Sequence, residues 1–482
     1  MNFNSIQYLI FLPITLLLYF LLPKKLKNPL LLCASYAFYM CWNPGYALLM
    51  LFSTAVTYLC SILMDRQWLG KRKLWLLSSL LLNLAILFFF KYFNFFTVTL
   101  NQFFALLGLQ ATAPTLNVLL PVGISFYTFQ ALGYTMDVYR KDIAAERNFI
   151  DYALFVSFFP QLVAGPIERT GNMLPQLKQV HRFRFVNLRD GFLPILWGLM
   201  KKMLIADNLA VIVNAAYDAP QNYTGLQLCF ATVCFAFQIY CDFSAYSDIA
   251  RGSAKLLGID LMQNFNCPYA AESIKDFWRR WHISLSTWFK DYLYFPLGGS
   301  RVSKGRHCLN LLVVFTVSGL WHGAAFTYIL WGILHGLYQI AGILLTPLRQ
   351  RLYRRIRRDH PLLRLLRIIG TFSLVCLAWV LFRANSLSDA WYILRSILTL
   401  SGGFSFGLTA LSCSRRMFAV LAVAILCLYT VDYIQQKRSI AARINQTVWL
   451  RYAVYLILLL AIVFFGYYGP GYDPQDFVYF QF

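Results

Sequence analysis

The strongest constraint on this chain is a series of apolar runs, each near or beyond the roughly 20 residues that a helix needs to cross a hydrocarbon core. They cover residues 6–22, 46–64, 74–90, 192–216, 226–240, 311–345, 368–382, 417–431 and 448–466. Shorter or more broken runs at 29–41, 92–109, 116–134 and 152–163 add spans or half-spans. Such a chain reads as an all-α polytopic membrane protein with about eleven membrane segments. Non-helical backbone at membrane depth is tolerated only where protein or a water-filled cavity satisfies its polar groups, so the interrupted runs predict an enclosed cavity.

Composition agrees. Of 482 residues, 59% are hydrophobic and only 13% charged, too apolar for a soluble globule of this size. The net charge of +23 comes from basic clusters between spans: Lys24, Lys25 and Lys27; Arg66, Lys71, Arg72 and Lys73; Arg182, Arg184 and Arg189; Arg349 to Arg358; Lys437 and Arg438. The positive-inside rule makes these loops cytoplasmic and puts both termini on the extracytoplasmic side. Split among short loops, the charge forms no continuous basic domain, which argues against nucleic-acid binding.

The start, Met1-Asn2-Phe3-Asn4, has no positive n-region, so the first apolar run reads as a retained span rather than a cleaved signal. The 11 cysteines are scattered, without a Cys-x-x-Cys pair or zinc spacing, and read as small apolar packing residues with no metal site. No repeat or Pro/Gly/Ser linker divides the chain. The expectation is one domain over 1–482, with peripheral helices at 1–110, a core at 116–345 and C-terminal helices at 366–482.

His322 stands inside the 311–345 run, in Gly319-Leu320-Trp321-His322-Gly323-Ala324-Ala325. An ionisable group at membrane depth is costly, so it is a functional candidate by default. On a continuous helix, Ser318, Ala325, Ile329 and Gly336 share its face within about 60°. Such small residues, with Gly332-x-x-x-Gly336, admit a neighbouring helix closely or leave room for a narrow tunnel. His335 falls about 220° around the same helix and reads as interhelical packing. Upstream, Trp278, Trp281, His282, Leu285 and Trp288 recur at helical spacing from Ser273 to Asp291, putting His282 on an aromatic, buried face. It is either a satisfied core histidine or a catalytic one. The turn Pro296-Leu297-Gly298-Gly299-Ser300 and the basic residues after it place this segment near a cytoplasmic interface, where basic side chains could meet an anionic donor.

Asp242, Asp248 and Glu168 also lie in apolar surroundings. They are expected to pair with arginines, or one of them orients a catalytic imidazole. There is no Gly-x-Ser-x-Gly elbow and no phosphate-binding loop ending in Gly-Lys-Ser/Thr, which weakens serine-hydrolase and nucleotide-driven readings.

Several segments together resemble the membrane-bound O-acyltransferase family, in its bacterial branch acting on alginate or peptidoglycan. They are Phe277-Trp278-Arg279-Arg280-Trp281-His282-Ile283-Ser284, Trp288 to Gly299, Gly319 to Ala324, Pro160 to Glu168, Asp242-Phe243-Ser244-Ala245-Tyr246-Ser247-Asp248 and Phe477 to Phe482. Ala245 departs from that branch, which usually has glycine there. The resemblance implies a multi-helix fold around a transmembrane tunnel. It implies a cytosolic thioester donor, acetyl-CoA, as co-substrate and no permanently bound cofactor. It further implies an acceptor on the far side, polysaccharide or a partner protein, in a bacterial plasma membrane. The family's invariant histidine corresponds to His322, and the branch's second histidine to His282.

A hydroxyl attacking a thioester needs a base near neutral pH, which suits histidine with its ordinary pKa of about 6.5. His322 is then general base or transient acyl carrier. His282, with Trp278 and Arg279, positions the donor or its carbonyl oxygen. Trp281, Trp321, Gly323, Asp242 and Ser318 are expected to support them or to line the tunnel. Two alternatives stay open: D-alanyl transfer to teichoic acid, and, from a different class, a polysaccharide or lipid-linked sugar transporter. The transporter lacks support because no paired Gly/Pro-broken helices recur in two halves.

Overall fold

The computed structural model describes residues 1–67, 70–109, 112–116, 119–355, 360–403, 407, 411, 413–436, 439–469 and 477–478. Arg357, Arg358, Lys437 and Arg438 of the basic clusters, and Tyr479 to Phe482 of the terminal motif, lie outside the described residues. Among those described, the ordered elements are all helical. Seven helices are long and apolar enough to cross a membrane: Pro44–Asp65, Arg72–Leu106, Gly225–Leu256, Phe326–Leu344, Pro361–Arg383, Arg415–Gln435 and Val448–Phe465. Ile6–Leu21 is a shorter apolar helix. The chain is an all-α polytopic membrane protein. Exposed Leu48, Leu81, Leu426 and Phe464 on these helices form the apolar outer faces that lipid requires.

Shorter helices such as Ile6–Leu21 and Ile124–Arg140 accompany these seven, and several apolar runs fold differently from the expectation. Residues 74–90 and 92–109 join into the single 35-residue helix Arg72–Leu106. No Gly or Pro separates them, and a π-turn at Phe88–Tyr92 takes up the extra residue. The 192–216 run carries a π-turn at Lys201–Ala206, between the helices Phe185–Met200 and Asp207–Asp218. The 311–345 run is not one helix. It breaks at Gly323 into Lys304–His322 and Phe326–Leu344, which pack closely against each other as a hairpin. Helix starts follow ordinary capping chemistry, with the side chains of Ser5, Asn43, Asn148, Ser273 and Ser386 each accepting a first-turn N–H.

The chain forms two compact units, Met1–Phe192 with Ile249–Met262, and Leu193–Asp248 with Gln263–Phe482. In the first, Pro44–Asp65 packs on Arg72–Leu87 and Ile124–Arg140. Short polar side chains knit these helices together: Ser53 Oγ donates to Asn83 Oδ1 at 2.5 Å, and Tyr152 OH to Thr57 Oγ1 at 2.6 Å. Glu168 belongs here and accepts from Asn172 Nδ2 at 2.8 Å and from the Met262 N–H.

The second unit holds the histidine hairpin, the short helices Ile274–Arg280 and Ile283–Phe289, and the helix Pro361–Arg383 packed on Phe326–Leu344. Its buried charges pair with lysines, not with the expected arginines. Lys202 Nζ lies 2.8 Å from both Asp207 and Asp242, and Lys201 Nζ 2.8 Å from Asp248. Both lysines stand on Lys201–Ala206 and reach across to Asp242 and Asp248 on Gly225–Leu256, whereas Arg279 and Arg280 both pair with Asp276.

Candidate active site

The expected continuous helix from Ser273 to Asp291 is interrupted at His282. That residue adopts a left-handed backbone, φ 44° and ψ 55°, between Ile274–Arg280 and Ile283–Phe289. A non-glycine residue there costs about 1–2 kcal/mol, so something must hold it. The segment before it does: Asn266 N–H donates to the Arg280 carbonyl, and Ile283 N–H to the Asn264 carbonyl, both at 2.9 Å. Helical bonds are exchanged for tertiary ones, which a hydrophobic periodicity does not register.

Asn264, 1% exposed, is the hub. Its Oδ1 accepts from Ser284 N–H at 3.1 Å and Ser284 Oγ at 2.9 Å, and its Nδ2 donates to Ser247 Oγ at 3.3 Å. A backbone N–H can only donate, so the atom facing it is the amide oxygen. His282 Nδ1, 3.2 Å from that same oxygen, must therefore carry the hydrogen. The neutral ring then presents its lone pair at Nε2. The orienting partner of this imidazole is an amide, not one of the carboxylates expected for the role. His282 is fully buried, and desolvation holds its pKa well below the ordinary histidine range. The neutral ring is able to accept a hydrogen bond at Nε2.

His322 is held by shape. It is the last residue of Lys304–His322 and is buried. Trp321, Trp331 and Phe382 surround it edge-on, at ring-centroid distances of 4.9, 5.0 and 5.3 Å. Glycines make this packing possible. A methyl at Gly319 would collide with the Tyr328 carbonyl, one at Gly332 with the Phe315 carbonyl, and one at Gly323 with the Tyr328 ring. Gly332 and Gly336 thus provide the close helix approach that their spacing predicts, with Lys304–His322 as the neighbour.

Trp321 joins the two imidazoles, its ring centroid 6.1 Å from His282 and 4.9 Å from His322. On the other side of His282 stands Phe243, edge-on at 4.6 Å. Trp278 reaches the cluster through His335: its Nε1–H donates to His335 Nδ1 at 3.2 Å, and the His335 ring lies 4.9 Å from that of Trp331. His335 is therefore an interhelical packing residue as expected, but it does not point away from His322. The two sit on different helices and share Trp331. Trp281 is buried against Phe265, Phe277 and Trp379, and Ser318 is buried one turn before His322.

Two candidates lie apart. The Arg279 side chain is 72% exposed and pairs with Asp276 at 2.9 Å. The Asp242 carboxylate turns to Lys202 and to the Val478 N–H, at 2.8 and 2.7 Å, while its neighbour Phe243 makes the contact to His282. Asn264, Trp331 and Phe382 escape the sequence reading. Asn264 lies in Gln263-Asn264-Phe265-Asn266, a polar stretch with no periodicity to mark it, and the aromatics are lost among many others.

Chemically, the arrangement offers two buried imidazoles, one with a fixed tautomer, beside a row of indoles. Such a site can take a proton from a hydroxyl and excludes water from a reactive acyl group.

The sequence model of the membrane-bound O-acyltransferase family matches residues 48–382, which include both histidines. The chain is 40% identical over 420 residues to the probable alginate O-acetylase AlgI of Pseudomonas aeruginosa, covering 86% of this chain and 76% of that protein. It is 37% identical over 425 residues to the peptidoglycan O-acetyltransferase of Helicobacter pylori, covering 81% and 78%. To the teichoic acid D-alanyltransferase of Streptococcus thermophilus it is 27% identical over 308 residues, covering 59% and 72%.

Proposed function

The chain belongs to the membrane-bound O-acyltransferase family and is a multi-pass membrane O-acyltransferase, and from that premise we propose that it moves an acetyl group from cytosolic acetyl-CoA to an extracytoplasmic polysaccharide. The acceptor is an alginate-like exopolysaccharide or peptidoglycan, reached directly or through an extracytoplasmic partner protein. The names of its relatives at 37–40% identity support this reading. The setting is a bacterial plasma membrane with both termini outside, the whole chain acting as one domain around a transmembrane tunnel, with no resident cofactor.

The observation that carries the mechanism is the pair of buried imidazoles bridged by Trp321. In our reading His322 takes the proton of the attacking hydroxyl as that oxygen bonds to the thioester carbonyl. The thiolate leaves and is protonated, giving a new ester and free CoA thiol. The same residue can instead carry the acetyl group transiently. His282 supports transfer through Nε2, which accepts the hydrogen of a bound hydroxyl; with Nδ1–H committed to Asn264 it does not donate to the carbonyl oxygen. Exposed Arg279 meets the anionic part of the donor, and Trp278, Trp281, Ser318 and Gly323 support the walls. Asp242 acts at one remove, by fixing the helix that carries Phe243.

The test is acetyl transfer from labelled acetyl-CoA by purified protein in lipid nanodiscs. Failure with acetyl-CoA alongside activity with an aminoacylated carrier protein would instead favour D-alanyl transfer, the reading supported by the 27% identical relative.

A further inference from the structure

The rings around His322 leave little depth for an acyl chain. Trp321, Trp331 and Phe382 stand edge-on to the imidazole at 4.9–5.3 Å, already van der Waals contact for rings in that orientation. A methylene inserted between them needs about 3.5–4.0 Å to carbon on each side. A chain lengthened towards these rings therefore requires a wall to retreat.

The walls are backed. Trp331, fully buried, is stacked on Trp379 at 5.9 Å and 17°, and meets Trp278 at 5.7 Å and His335 at 4.9 Å. Phe382, 1% exposed, is wedged between Tyr328 at 5.1 Å and Trp379 at 5.2 Å. Tyr328 in turn lies so close to Gly323 that a single methyl there would collide with its ring. A ring behind each wall is itself pinned, so the box does not breathe by a rotamer change in one residue.

We propose that Trp331 and Phe382 are specificity-determining residues that stop the acyl group at His322 at two carbons. Acetyl thioesters are accepted, and longer straight-chain thioesters are excluded by the second ring layer. This rests on His322 being the centre of transfer.

The experiment compares acetyl-, propionyl-, butyryl- and hexanoyl-CoA as donors for wild-type protein, Phe382→Leu, Trp331→Leu and His322→Ala in nanodiscs. An extra methylene in a tight apolar pocket typically changes kcat/KM about 10- to 200-fold. Wild type is expected to lose about tenfold or more at each added carbon up to butyryl. Either leucine variant should raise the butyryl-to-acetyl ratio of kcat/KM by about tenfold. That ratio does not depend on how much of a variant is folded, so partial misfolding does not imitate the effect. Phe230→Leu, outside the box, should leave the ratio at the wild-type value. Equal use of butyryl- and acetyl-CoA by wild type overturns the proposal, as does an unchanged ratio in both variants. If His322→Ala transfers acetyl as wild type does, the reading of the centre falls instead. If His322→Ala is inactive while both leucine variants keep the wild-type ratio, only the two-carbon stop falls.

Discussion

The two candidate histidines are held in opposite ways. His282 sits in a strained backbone and is oriented by a polar hub, with Asn264 setting its tautomer and binding Ile283 and Ser284 after it, and Asn266 binding Arg280 before it. His322 ends a regular helix and is oriented by three aromatic edges. The first arrangement fixes which nitrogen carries hydrogen. The second fixes where the ring lies through close aromatic packing. Under the proposed mechanism, in which His322 takes the proton and His282 accepts a hydrogen bond, the two settings divide the work between the rings.

Removing the proposed centre of transfer should have the largest effect. His322→Asn is expected to lower acetyl transfer about a hundred- to ten-thousandfold while the protein still inserts and elutes as wild type; transfer within tenfold of wild type would end the distinction between the two rings. Next comes the hub. Asn264→Leu strands the Ser284 donors and His282 Nδ1–H, and should cost about 2–4 kcal/mol of stability, read as a lower unfolding midpoint in detergent, with Asn264→Asp retaining more because it keeps an acceptor. A leucine variant as stable as wild type would show that the polar hub does not hold the segment.

A smaller effect separates strain from chemistry. Both His282→Asn and His282→Val remove the imidazole, but asparagine tolerates the left-handed backbone and valine does not. The valine variant should be less stable by about 1–2 kcal/mol; equal midpoints would mean that the backbone relaxes without loss. The smallest is a pH effect. The buried His282 ring stays neutral well below the ordinary histidine range, whereas in the unfolded chain it protonates near 6.5. Below that pH the unfolded chain binds the extra proton, so this part of folded-state stability is complete above pH 6.5 and declines as pH falls. Unfolding midpoints taken between pH 7.5 and 5 should drop more steeply for wild type than for His282→Gln. Parallel slopes would remove His282 as the source.

How much of this was legible in the sequence follows the same division. The helices, the polytopic architecture and the pairing of two Trp-flanked histidines rest on hydrophobic period and local composition, and these survive folding. The break at His282 does not show, because Trp278, Trp281 and Leu285 keep an acceptable apolar spacing on both sides of it, and the cause, Asn264, lies in another segment. The turn after His322 is hidden for a related reason: Gly323-Ala324-Ala325 contains no proline, and its neighbours are apolar enough to continue a span. Phe88–Tyr92 misleads in the other direction, since a charged Lys91 among aromatics looks like an end while the helix continues through a π-turn.

The buried Lys201–Lys202 pair has a consequence for biogenesis. Each lysine at the centre of a helix opposes membrane insertion by about 2.5–3.5 kcal/mol. Their partners Asp242 and Asp248 lie on Gly225–Leu256, which leaves the ribosome later. Lys202 has Asp207 on its own segment, but Lys201 meets its carboxylate only on the later helix, so burial of the earlier segment is expected to be completed when its neighbour arrives. The order of synthesis becomes a check on assembly: a chain arrested before residue 242 should remain extractable from the membrane, and one extended past residue 248 should not.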